Sequence, residues 1–87
     1  MKKKIELENG FKCTIDTNAL DDMELVEMLA DIEENPLLMG KVVRKVFGDE
    51  KDKLYKFLKT KDGRVPIEKV GDAIEQAFNA LGEDAKN

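Results

Sequence analysis

The chain has 87 residues, 41% hydrophobic and 39% charged, with a formal net charge of −4. That length gives one domain with a thin core, since a chain of this size buries only about 60–65% of its unfolded surface. It has no histidine, no serine and a single cysteine. Serine nucleophiles, imidazole bases, Cys-His pairs, imidazole metal sites and an internal disulfide are therefore excluded within one chain.

Catalysis would have to rest on carboxylates, lysines, Tyr55, three threonines or Cys13. The expectation is a non-enzyme with no cofactor and no metal. No apolar run approaches the ~20 residues that a spanning helix needs. The Met-Lys-Lys-Lys start mimics the charged opening of a signal peptide. Glu6, Glu8 and Lys12 interrupt any apolar segment after it, so the chain reads as untargeted and cytoplasmic.

Residues 2–16 read as a β-hairpin. Ile5 and Leu7 alternate with polar residues, as do Phe11, Cys13 and Ile15, with Asn9-Gly10 between the two sets. A two-residue Asn-Gly loop would split the apolar set across both faces. A three-residue loop, Glu8-Asn9-Gly10, pairs Leu7 with Phe11 and Ile5 with Cys13 and puts all five apolar residues on one face. One-face burial fixes register, so the longer loop is expected, with Gly10 left-handed.

Helix one is expected over 22–33. Asp21 and Glu24 have capping-box spacing, and Met23, Leu25, Val26, Met28, Leu29 and Ile32 form a broad apolar stripe. Asn35-Pro36 supplies an N-cap and an N1 proline for helix two, 36–47, with Leu38, Met39, Val42, Val43, Val46 and Phe47 apolar and Gly48 at its end. Gly40 inside it costs about 1 kcal/mol against alanine, which points to close packing there. Helix three, 50–60, follows Asp49 and carries Leu54, Tyr55, Phe57 and Leu58; Asp62-Gly63 ends it. The last helix, 66–81, has Ile67, Val70, Ile74, Ala77, Phe78 and Leu81 at helical spacing, with Gly82 as a stop and a frayed tail over 83–87. The fold class expected is α+β: one domain in which an N-terminal β-hairpin precedes four short helices, packed as a small, mainly helical unit.

The stretch Thr60 to Val70 resembles a site at first sight. As a calcium loop centred on Gly63 it fails, because the ligand positions fall on Leu58, Thr60 and Lys69. As an anion site it is crowded by Pro66 and Glu68, and it reads better as a turn between two helices. Charge is segregated along the chain: residues 16–34 carry eight acids and no base. Residues 35–64 carry nine bases and four acids. A basic face on helices two and three, from Lys41, Arg44, Lys45, Lys53, Lys56 and Lys59, gives an alternative reading as a small nucleic-acid-binding regulator. The negative net charge and the single tyrosine speak against it. Leu37, Leu38 and Met39 beside Gly40 have two readings: core, since a thin-cored domain needs most of its leucines inside, or an adaptable apolar surface. With Lys41, Arg44, Lys45, Lys56 and Lys59 they are the candidate partner-binding residues. Cys13, on the apolar strand face, reads as a core residue. The thin core and open sheet edges favour self-association as a homo-oligomer.

Taken whole, the chain resembles the small tail assembly chaperones, or tail accessory proteins, of tailed bacteriophages and prophages of Gram-positive bacteria. The phrases that carry the resemblance are the lysine-rich start into "IELENGFKCTID", then "LDDMELVEMLADIEENPLLMGKVVRKVFG", then "LYKFLKTKDGRVPIEKVGDAIEQAFNALGEDAKN". The resemblance implies a non-enzymatic protein in the host bacterial cytoplasm. Its partner would be the tape-measure protein or another tail protein, kept soluble until tail-tube subunits polymerise around it. It carries no residue-level site onto this sequence.

Overall fold

A computed structural model gives an α+β domain: one antiparallel hairpin set against a mainly helical remainder. It describes residues 2–85, with backbone alone at Leu20 and at 81–85. The core among the described residues is wholly apolar. It combines the inner face of the hairpin with Leu25, Val42, Val43, Val46, Phe47, Leu54, Leu58, Val70, Ala73, Ile74 and Ala77, and no polar or charged side chain is buried in it.

Strands β1 (Lys2–Glu6) and β2 (Lys12–Asp16) pair antiparallel, Ile5 opposite Cys13. Leu7 N–H donates to Phe11 O (2.8 Å), and Gly10 N–H donates to Leu7 O (2.9 Å). Gly10 has φ +92°, the left-handed backbone a three-residue loop demands. Ile5, Leu7, Phe11, Cys13 and Ile15 are all buried, as a single-faced register requires. Lys3, at the open end of the hairpin, reaches across to donate to Ala80 O (3.1 Å), and the loop amide of Glu8 donates to Gln76 Oε1 (2.8 Å). Both contacts fasten the hairpin to the last helix.

Several boundaries differ from expectation, each for a local reason. A 3-10 turn occupies Thr17–Leu20, capped by the Asp16 carboxylate on Asn18 N–H, and Asp21 N–H closes it on Asn18 O (3.0 Å). The Asp21 backbone N–H thus closes the turn one residue ahead of the helix cap. Asp22, not Asp21, caps helix α1 (Met23–Asp31), accepting from Glu24 N–H at 3.0 Å. The helix stops before 33 because Glu34 and Asn35 N–H both turn back to Asp31 O.

Asn35 makes no side-chain cap. Leu38 N–H bonds Asn35 O (3.0 Å), so Pro36–Leu38 is a 3-10 turn, and helix α2 begins only at Met39 (Met39–Phe47). Gly40 is not closely packed: a methyl group there would meet nothing within 4 Å. Among the described residues the helical glycine with a near neighbour is Gly71, where a methyl group would lie 3.8 Å from Met39 Cε. Gly48, with φ +52°, ends α2 by bonding Arg44 O and opens a third 3-10 turn, Gly48–Glu50, so α3 starts at Lys51 (Lys51–Leu58) rather than at 50.

Helix α4 (Ile67–Ala85) is nineteen residues long, not a short helix ending at 81. Gly82 stays helical; a glycine stops a helix only where it turns left-handed. Residues 83–85, expected to fray, belong to the helix, and residues 86–87 and the Leu81 side chain lie outside what the structure describes. Val70 N–H bonds Pro66 O (3.2 Å), which places Pro66 just ahead of the first helical residue. Val65 packs against the core beside it, while Ile67 is 66% exposed and leaves the expected stripe.

Candidate protein-docking surface

Helix α1 sorts its residues into three strips by spacing alone, since positions three and four apart stack along a helix. Leu25, Met28, Leu29 and Ile32 face the core, although only Leu25 is fully buried and the other three are half-covered. Met23, Val26 and Ala30 form a second, outward strip. Met23 is 67% and Val26 47% exposed, and Ala30 is exposed too. Glu24, Glu27 and Asp31 form a third, acidic strip beside it, also exposed. A nine-residue helix with one buried side chain thus carries apolar surface on two of its three strips. The broad apolar stripe expected for this helix includes Met23 and Val26; their 23, 26, 30 spacing, distinct from 25, 29, 32, marks a separate face.

The expected partner-binding residues divide. Leu37, on the 3-10 turn after α1, is 89% exposed, a leucine almost wholly in solvent. Leu38 and Met39 are half-buried, and Met39 packs on the core. Lys41 and Arg44 stand exposed on α2, with Arg44 Nε turned back to Gly40 O at 3.4 Å. Lys45 is not free for a partner, because its Nζ lies 2.9 Å from Asp22 Oδ2 and ties α2 to the start of α1. That bond raises the Lys45 pKa and lowers that of Asp22. Lys56 is exposed on α3, and Lys59 just beyond it. Lys59 lines a groove of about 470 Å³ with Phe57, Ala73, Lys69, Asp72 and the hairpin-loop residue Glu8. Phe57 is half-exposed there and tilts against Phe11 with ring centroids 5.3 Å apart. The structure places Leu37 outside this groove, so the expected residues do not form one continuous site.

The Thr60–Gly63 turn is internally bonded. Thr60 N–H donates to Arg64 O (2.8 Å) and Gly63 N–H to Thr60 O (3.0 Å). The Asp62 carboxylate accepts from the Thr60 hydroxyl and from Arg64 Nε, and these bonds hold its pKa below the usual carboxylate range. Its oxygens serve the turn instead of facing a ligand. Among the described residues no group of three or more Cys, Asp or Glu is placed to hold a metal, and no helix is long and apolar enough to cross a membrane. Burial, helped by the nearby Glu50 carboxylate, pushes the Cys13 thiol up to about 11, so it stays protonated at neutral pH. An electropositive setting would be needed to activate it.

Compared with protein-family models, curated proteins and solved structures, the chain finds no match in any of the three.

Proposed function

We propose that this chain is a non-enzymatic, cytoplasmic protein-binding domain, a tail assembly chaperone of a tailed bacteriophage or prophage that holds the tape-measure protein soluble. The observation that carries the binding part of this reading is α1, with Met23 and Val26 exposed on one strip and Leu37 exposed on the turn after it. A domain with so thin a core has few large apolar side chains to spare, and leaving these outside favours a partner that covers them. Met23 gives the surface a side chain that adapts to different contacts. A helical client fits it by laying apolar residues at i, i+3 or i+4, and i+7 along the strip. The identity of the client rests on the sequence resemblance.

Co-expression with the tape-measure protein of the same phage tests the reading. The client should become soluble and co-purify with the chain, and Met23→Ser/Val26→Ser should abolish both effects while the variant stays folded. A tape-measure protein that remains insoluble and uncomplexed in the presence of the unmodified chain refutes it. The basic-face alternative is weakened by Lys45, whose charge is already met by Asp22.

A further inference from the structure

We infer that the α1 surface takes a cationic amphipathic helix, an inference that rests on the docking surface proposed above and names the chemistry of its occupant. The apolar strip of Met23, Val26 and Ala30 runs directly beside the acidic strip of Glu24, Glu27 and Asp31, and Glu33 and Glu34 extend the acidic run past the end of the helix. Among the described residues, none of these five carboxylates makes a side-chain ion pair or hydrogen bond. The base at the start of this segment, Lys45, is held by Asp22 and also feels the Glu24 charge. The surface is therefore apolar along one line and, beyond Glu24, acidic without an ion-paired base along the next.

A binding helix must match both lines. Its apolar residues at i, i+3 and i+7 cover Met23, Val26 and Ala30, and lysines or arginines one strip over face the carboxylates. Nine residues at about 1.5 Å each make the strip roughly 13 Å long, so two to three turns of the partner are engaged. An anionic helix, or a nucleic acid backbone, meets the same acids with like charge and is rejected. Positive charge on the partner sets which helix is chosen, and apolar burial holds it.

The test uses three labelled peptides of about eighteen residues, long enough to hold helical structure. One is an amphipathic leucine–lysine helix, one its leucine–glutamate counterpart, and one a leucine–lysine peptide scrambled to have no apolar face. Fluorescence anisotropy is read with the full chain, with Met23→Ser/Val26→Ser, and with Glu27→Lys/Asp31→Lys, each checked for folding by circular dichroism. The amphipathic lysine peptide should bind at least about tenfold more tightly than the other two, and lose about tenfold between low and high salt as screening shortens the reach of the charges. Both variants should lose that binding.

Equal affinity for the glutamate peptide, or unchanged affinity after Glu27→Lys/Asp31→Lys, overturns the inference. So does equal binding of the scrambled peptide, which would reduce the effect to bulk charge. Sedimentation showing that the unmodified chain self-associates through α1, and that Met23→Ser/Val26→Ser dissolves the oligomer, would give the surface to a second copy and also overturn it. The two readings fail separately. A charge-selective peptide result with an insoluble tape-measure protein refutes the assembly role alone, and a soluble client with no charge selectivity refutes this inference alone.

Discussion

Leu25 and Val26 are neighbours on α1, yet replacing each with alanine should have very different costs. Leu25 is 0% exposed and closes the core against α2. Removing its side chain leaves a cavity, at a cost of about 2–5 kcal/mol. Val26 is 47% exposed, so only about half of the ~1.5–2 kcal/mol available from burying a valine is realised. Alanine returns part of even that, because it is the better helix former by roughly 0.5 kcal/mol. Val26→Ala should therefore lie within about 0.5 kcal/mol of the unmodified chain. A domain of this length is stable by roughly 4–13 kcal/mol, so Leu25→Ala removes a large share and lowers Tm by roughly 10–30 °C, while Val26→Ala barely moves it. Urea denaturation followed by circular dichroism, with midpoints compared at constant slope, measures both. If Val26→Ala costs as much as Leu25→Ala, the 23, 26, 30 strip is a core face and the docking surface does not exist.

Gly10→Ala forces a side chain into a backbone with φ +92°, and should cost about 1 kcal/mol or more in the same denaturation assay without changing the hairpin register seen by NMR. Cys13 should react with a thiol-specific reagent only as fast as the domain opens, and quickly in denaturant. Because its pKa is raised in the fold from 9.0 to about 11, the stability it contributes is complete below pH 9 and is lost as pH climbs towards 11; Cys13→Ala should flatten that alkaline loss. The acid limb has the opposite sign. Hydrogen bonds from Asn18 N–H to Asp16, from Lys45 to Asp22 and from the Thr60 hydroxyl to Asp62 depress three carboxyl pKa values. Their contribution is present at neutral pH and disappears as pH falls through those lowered values, and Asp22→Asn should reduce the acid sensitivity measured by urea titration.

The hairpin was legible to the level of register because three independent signals agreed. Alternation named the inner face, Asn9-Gly10 named the turn, and placing five apolar residues together left one loop length. The α1 cap was misplaced by one residue because Asp21 and Asp22 are chemically equivalent candidates. What separates them is the 3-10 turn over Thr17–Leu20, which has no apolar period to announce it. Gly40 and Gly82 misled for a shared reason: glycine marks a close approach, a stop or nothing, and only the backbone around it decides which. The docking surface was half-legible. Leu37 was legible with Leu38 and Met39 beside Gly40, but Met23 and Val26 merged into one broad stripe with the core-facing residues, because a sequence shows how wide an apolar stripe is and not how much of it a small domain can cover.

The sparse burial of α1 has a consequence for how the molecule breathes. The helix leans mainly on α2, is pinned by one fully buried leucine and a cap tied to Lys45, and leaves most of its remaining surface wet. Segments of that kind open by themselves, well below the free energy of global unfolding, so their amide hydrogens exchange with solvent ahead of those in the core helices α2 and α4. A partner seated on α1 would close that local opening. Slowed amide exchange confined to residues 23–31 would then be the earliest sign of occupancy, visible before any change in the domain's overall melting.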